Sequence, residues 1–374
     1  MALVIGVIGE LADGELRTAL VTEAAKKYLA LGVHLAVERL SGLPSHYKDE
    51  DYEGIDWKQS ATEVFAEASL FLMVQAPSLE VIARLPQGAV LLGLLRPYES
   101  RERLDALNAR SITSLAMELV PRISRAQSMD ALSSQAACAG YQCALIAAAR
   151  STKFFPMLTT AAGTIRPARV VVIGAGVAGL QAIATSRRLG AMVEAYDVRS
   201  AAREQIESLG AKFIDTGVTA EGVGGYAREL TPEEVAAQRE KLAKALSMAD
   251  CIICTAAVPG RKAPVIVTKE MIARLKFGAI IVDMAAESGG NCELTVPGEH
   301  VVRNDVHIHG PLNLPSRMPT HASEMYAKNL FNLLSPFIKG GELQLDYQDE
   351  VIAGTLLTYQ GQVVNANVRK ALGF

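Results

Sequence analysis

The sequence predicts an α/β protein built as two doubly wound, Rossmann-like parallel-sheet domains joined by a long helix. Three observations carry this prediction. Short β-rich runs alternate with helical patterns along almost the whole chain, which is the rhythm of a parallel sheet wrapped by helices. The β-rich runs are apolar at nearly every position, as expected when both faces of a sheet are covered. An unbroken alanine-rich stretch from Asp130 to Arg150 separates two such alternations.

In the first half, "LVIGVI", "VHLAVE", "SLFLMV", "AVLLGLL" and "SITSLAMEL" give the strands, and Thr22 to Leu31 gives a helix. The second half restarts at "ARVVVIG" and continues through "MVEAYDV", "KFIDT", "CIICTA", "AIIVDMA" and "VHIHGP". The C-terminal piece contains "NLFNLLSPFI", "GELQLDY" and "VIAGTLLTYQGQVVN", a helix and a hairpin that by analogy with two-lobed nucleotide enzymes return to the first domain. The expected boundaries are 1–130 plus about 311–374 for the first domain and 131–310 for the second.

The 374 residues suit two domains, and half of them are hydrophobic, so a sizeable core is available. Lys and Arg number 37 against 40 Asp and Glu, a net charge of -3 that gives no reason to expect a nucleic-acid partner. The cysteines are scattered, which fits a reducing compartment better than a disulfide framework. Cys251 and Cys254 form a C-x-x-C, but in "ADCIICTAAV" they fall on a strand and face opposite sides, so core packing explains them better than metal. His307 and His309 share a strand face and make at most half a metal site, with no third ligand evident, so no metal is expected. The opening "MALVIGVIGE" lacks the basic start of a signal peptide, and no apolar run reaches the ~18 residues of a membrane span.

The strongest local signal is "VVVIGAGVAGLQAIATSRRLGAMVEAYDVRS". Gly174, Gly176 and Gly179 form G-x-G-x-x-G directly after a strand and directly before a helix, with Val177 inside the motif counted in the same cofactor-binding set. The first glycine allows the tight turn, the second lets the backbone approach a pyrophosphate, and the third lets helix and strand pack closely. The anion then rests on the helix N-terminus. Asp197, at the end of the next strand, stands where a carboxylate accepts from both ribose hydroxyls and repels a 2′-phosphate, which predicts NAD(H) over NADP(H). Arg199, two residues on, belongs to the same cofactor-binding set and is the one residue that qualifies that preference.

A second constellation is "PRISRAQSMDALSSQ". A nicotinamide carboxamide presents one acceptor and two donors. Arg122 and Gln127 supply donors and Asp130 an acceptor, while Asp130 and Ser133 also sit in the first turn of the long helix. Spacing alone leaves a helix cap with an Arg–Asp ion pair equally open. A third feature is the glycine-rich "TGVTAEGVGGYARELTPEE", a long loop that ends where Thr231, Pro232 and Glu234 spell a helix start with a capping box.

"MELVPRISRAQSMDALSSQ", "MLTTAAGTIRPARVVVIGAGVAGLQAIATSRRLGA", "GGYAREL" and "VDMAAESGGNCELTVPG" closely resemble the NAD-binding alpha subunits of proton-translocating NAD(P) transhydrogenases, over about Met117 to Gly298. Alanine dehydrogenases belong to the same superfamily. The resemblance implies that Arg122, Gln127, Asp130 and Ser133 form the nicotinamide-side loop, and that Tyr226 lies on a mobile loop that closes over the nucleotide. It also implies a homodimer. The partners it implies are membrane-embedded subunits that carry NADP(H) and the proton channel, with this chain cytoplasmic and held at the inner membrane through them.

An amino-acid dehydrogenase moves a proton as well as a hydride, so it needs an acid/base and a basic clamp for the substrate carboxylate. Family members of that type carry a lysine in the opening segment, a second lysine after a following strand, a histidine in the first lobe and an aspartate in the second. This chain has Gly9 and Glu10 at the first place, Gln75 and Ala76 at the second, no histidine in "LLGLLRPY", and Glu287 at the acid position, with Arg17 the surviving cation. Hydride transfer between two nicotinamides moves no proton at the reacting carbons and needs only positioning in dry surroundings. The absences therefore favour transhydrogenation. The alternatives are a soluble NAD-dependent alanine dehydrogenase and a non-catalytic NAD(H)-binding paralogue.

Overall fold

The computed structural model describes residues 2–220, 228, 230–257 and 260–374. The chain divides into two compact units, Met1–Gln135 with Ser316–Phe374, and Ala136–Pro315.

The first unit opens with β1 (Val4–Val7), α1 (Thr22–Ala30), β2 (His34–Glu38), β3 (Asp56–Lys58), α2 (Ala61–Glu67), β4 (Leu70–Leu72), α3 (Leu79–Arg84), β5 (Val90–Gly93), α4 (Arg101–Ala109) and β6 (Thr113–Ala116). These six strands are parallel, in the order β6-β5-β4-β1-β2-β3. Successive strand residues enter different cores. Leu35, Val37, Leu70 and Leu72 pack on one face, and Ala36, Phe71 and Leu91 on the other. Ser78 and Ser100 cap α3 and α4 by accepting from Val81 and Arg103 N–H groups.

The long helix is α5 (Ala131–Arg150). Beyond it come a small hairpin of β7 (Leu158–Thr160) and β8 (Gly163–Ile165), then β9 (Arg169–Ile173), α6 (Val177–Arg188), β10 (Met192–Tyr196), α7 (Ala202–Ser208), β11 (Lys212–Phe213), α8 (Pro232–Leu246), β12 (Cys251–Cys254), α9 (Lys269–Ile272), β13 (Ile280–Asp283), β14 (His300–Arg303) and β15 (Val306–His309). The sheet of the second unit runs β11-β10-β9-β12-β13-β15-β14, parallel except for its edge strand β14. The order 3-2-1-4-5-6 within both sheets is that of dinucleotide-binding proteins. Helix α8 begins with the capping box its sequence predicts, Thr231 and Glu234 each bonding the other's backbone N–H. Cys251 and Cys254 enter separate cores on the two sheet faces.

The chain then completes the first unit with α10 (Pro319–Leu334), β16 (Ile338–Lys339), β17 (Glu342–Leu343), α11 (Glu350–Thr355), β18 (Leu356–Tyr359), β19 (Gln362–Val363) and α12 (Ala366–Leu372). Strand β18 adds antiparallel to β6, and β19 pairs with it. The hairpin expected over "VIAGTLLTYQGQVVN" is thus only its second half. Asp349 accepts from Val351 and Ile352 N–H groups and starts a helical turn there, which buries Val351 and Ile352.

Candidate functional site

Strand β9 ends where the glycine turn begins. Gly174 lies at φ +90°, a conformation that glycine adopts freely, and a Cβ on it would stand 2.9 Å from the Ala256 nitrogen. A Cβ on Gly179 would fall 1.9 Å from the Gly174 carbonyl oxygen, so helix α6 meets the turn at glycine-only distance. Gly176 differs from both. Among the described residues, nothing lies within 4 Å of the place its Cβ would take, so the turn offers bare backbone there. Gly176 is also the N-cap of α6, with no side chain capping the helix and no acidic residue in its first turn. A dinucleotide pyrophosphate fits such a site: open backbone at the N-terminus of a helix whose first turn carries no acidic residue.

Asp197 follows β10 and is buried. Its Oδ2 accepts from Ala175 N inside the glycine turn at 2.7 Å, which holds the carboxylate against that turn. The rest of its capacity is taken by Arg199, whose Nε and Nη2 reach Oδ1 and Oδ2 at 2.9 and 2.8 Å and whose backbone N reaches Oδ1 at 2.9 Å. Burial pushes this carboxyl up, but the Arg199 contacts outweigh it and hold it below its ordinary value.

Two further residues hold the cradle. Thr255, just past β12, donates to the carbonyls of Ile173 and Gly174. Asn291 is fully buried, and its amide accepts from Ala256 N and donates to Ala256 O and Pro264 O. Sequence spacing gives no sign of Asn291, because its partners lie 35 and 27 residues away.

Arg122, Gln127, Asp130 and Ser133, which the resemblance assigns to the nicotinamide side, lie in the first unit. Residues Ser124–Met129 form a 3₁₀ stretch, fastened through the Ser128 carbonyl by Asn329 and Asn332 of α10. Arg122 and Gln127 are exposed. Asp130 takes the N-cap of α5, accepting from Ser133 N at 2.9 Å and from Ser133 Oγ at 2.6 Å. The capping alternative is therefore realised for Asp130 and Ser133. Arg125 pairs with Asp349 at 2.9 Å. Tyr226 lies outside the described residues.

The sheet order of the first unit reverses between β1 and β4, the usual place for a ligand crevice. Glu10 fills it, accepting from Val74 and Gln75 N–H groups. Burial pushes the Glu10 carboxyl up to about 7. Glu10 is visible in the sequence as a residue type, but its burial follows from the β1–β4 pairing. Arg17, 4 % exposed, is forked onto Glu15 through Nε at 2.8 Å and Nη2 at 2.6 Å, with Nη1 on Gln135 at 2.8 Å. Gln75 also donates to Glu15, at 2.7 Å. Burial works against the Glu15 charge, but Arg17 overcomes it and holds the carboxyl down at about 2. Glu287 is exposed and accepts from the Asn313 backbone.

His307 and His309 do share a face of β15, and His300 of β14 joins them. The His300 and His309 rings stack at 4.1 Å, and His300 Nε2 lies 3.1 Å from His307 Nδ1. Among the described residues, no group of three or more His, Cys, Asp and Glu is placed to hold a metal ion, and no helix is long and apolar enough to cross a membrane.

Two family models match the chain, the alanine dehydrogenase/PNT N-terminal domain over residues 6–139 and the C-terminal domain over 143–366. An NAD(P) transhydrogenase subunit alpha protein of Rhodospirillum rubrum is 44% identical, covering 94% of this chain and 95% of that protein. Its namesake from Rickettsia prowazekii is 41% identical over 96% of each. The crystal structure of a transhydrogenase from Sinorhizobium meliloti superposes with a TM-score of 0.88 at 42% identity, covering 96% of this chain and all of that one. An L-alanine dehydrogenase structure has a TM-score of 0.82 at 21% identity and shares the fold, covering 99% of each chain. The chain belongs to the alanine dehydrogenase/PNT family and, within it, to the NAD(P) transhydrogenase alpha subunits.

Proposed function

We propose that this chain is the NAD(H)-binding component of a proton-translocating NAD(P) transhydrogenase. NADH held by the second unit supplies a hydride, which reduces NADP+ bound on a partner subunit. The observation that carries the reading is the end-to-end similarity to transhydrogenase alpha subunits, in a chain whose glycine turn leaves Gly176 bare at a helix N-terminus.

Residues of this chain bind and orient. Gly174, Gly176, Val177 and Gly179 receive the pyrophosphate, and Asp197 receives the adenosine ribose with Arg199 beside it. Arg122, Gln127, Asp130 and Ser133 orient the carboxamide of the nicotinamide, and Tyr226 contributes to closure. The transferred hydride leaves one ring carbon and joins another, so no side chain has to take or give a proton at those atoms. Membrane-embedded subunits supply the NADP(H) site and the proton path, and this chain works as a homodimer on the cytoplasmic side of the inner membrane.

The sequestration of Arg17 by Glu15 favours this reading over alanine oxidation, because that cation is already committed to an internal carboxylate. The test mixes the purified chain with the NADP-binding partner component, NADH and an oxidised NADP+ analogue. Cross-reduction supports the proposal. Robust NADH formation from NAD+ and L-alanine by the chain alone would replace it with the dehydrogenase reading, and NADH binding without either turnover would leave a binding paralogue.

A further inference from the structure

Asp197 has no acceptor position left. A carboxylate offers about four lone-pair directions. Ala175 N and Arg199 Nη2 take those of Oδ2, while Arg199 N and Nε take those of Oδ1. The Arg199 side chain is 24% exposed and the carboxylate beneath it 8%, so the guanidinium is the outward-facing partner. Two parallel donors on two carboxylate oxygens are also what a vicinal diol presents. Guanidinium and ribose therefore compete for one carboxylate, and nucleotide binding must move Arg199 aside.

The same geometry fixes where the positive charge lies. The guanidinium sits within hydrogen-bond distance of both oxygens that would meet the ribose hydroxyls, and so beside the point where a 2′-phosphate would project. Arginine forks bind phosphate as readily as carboxylate. The carboxylate it already holds competes for the same guanidinium donors.

Resting on the NAD(H) reading of the second unit, we propose that Arg199 is a latent 2′-phosphate ligand, and that Asp197 selects the coenzyme in two ways: it repels the phosphate and it keeps the guanidinium engaged. Selectivity then belongs to the pair. Removing the carboxylate converts the site toward phosphorylated coenzyme only while Arg199 remains.

The test is equilibrium binding of NADH and NADPH, followed by nucleotide fluorescence, to the full chain as wild type, Asp197→Ala, Arg199→Ala and the double variant. Wild type and Arg199→Ala should prefer NADH. Asp197→Ala should shift the NADPH-to-NADH affinity ratio at least tenfold toward NADPH, and the double variant should lose most of that shift. Equal ratios in Asp197→Ala and the double variant would overturn the role of Arg199. Failure of the wild type to bind NADH would instead overturn the underlying cofactor reading. Asp197 also anchors Ala175, so Asp197→Asn, which keeps a carbonyl for that N–H, serves if the alanine variant does not fold. Its shift must likewise depend on Arg199.

Discussion

Asn291 faces the main chain of Ala256 with both ends of its amide: Ala256 N donates to Oδ1 at 3.0 Å, and Nδ2 donates to Ala256 O at 2.7 Å. The pair locks the chain after β12 against the glycine turn, since Ala256 is the residue a Cβ on Gly174 would strike. Asn291→Ala strands three backbone groups, Ala256 N, Ala256 O and Pro264 O, next to a buried site and should cost about 1–3 kcal/mol of stability. NADH affinity should fall with it. Asn291→Asp keeps the acceptor and loses the donor, so it should fall between wild type and alanine in thermal melting. An alanine variant with wild-type stability and affinity would remove Asn291 from the cradle.

Asp130 serves two purposes that one substitution separates. As N-cap of α5 it accepts from Ser133, and asparagine caps about as well as aspartate. Asp130→Asn should therefore melt within about 0.5 kcal/mol of wild type, while Asp130→Ala should lose about 1 kcal/mol. If the carboxylate also orients the nicotinamide, Asp130→Asn and Arg122→Ala should slow hydride transfer more than they weaken NADH binding. Equal losses in both quantities would leave only the structural role.

The Arg17–Glu15 fork is buried, with side-chain exposures of 3% and 0%. Removing one partner leaves the other charge uncompensated, so Glu15→Ala should destabilise the first unit by about 3–5 kcal/mol. Because the Glu15 carboxyl is held down at about 2, its contribution is present above its ordinary value. It should disappear as pH falls from about 4.5 toward 2. Denaturant midpoints measured across that range, for wild type and variant, check this.

Glu10 and His309 should tilt stability in opposite directions near neutrality. With the Glu10 carboxyl raised to about 7 by burial, the folded state holds a proton that the unfolded state has released. Stability from this group is then full below the ordinary carboxylate value and lost as pH rises toward 7. Burial, with His300 next, depresses His309 to about 4. Its contribution is present above the ordinary imidazole value and lost as pH falls toward 4. Glu10→Gln should abolish the first trend and leave the second. A variant whose midpoints parallel wild type from pH 4.5 to 8 would contradict the Glu10 assignment.

What the sequence can show is local. The glycine turn, the Thr231–Glu234 capping box and the Asp130 cap each depend on residues within a few positions of one another, so spacing alone exposes them. Strand β14 is invisible in the sequence because "HVVR" is short and mostly exposed, and His300 joins His307 only through the antiparallel register. The elevated Glu10 needs the β1–β4 neighbourhood, and Asn291 needs a loop folded back across 35 residues. Arg199 stands two residues from Asp197 in the sequence, but only the fork geometry shows that the two occupy each other.

The hairpin of β18 and β19 has a consequence for biosynthesis. The second unit is one uninterrupted stretch, whereas the first unit waits for its antiparallel edge until Leu356–Val363 has emerged from the ribosome. The nucleotide-cradling half can therefore mature while the opening six strands still expose the flank of β6 to whatever they meet in the cell. Truncations near the carboxyl end should accordingly harm the amino-terminal half of the molecule first.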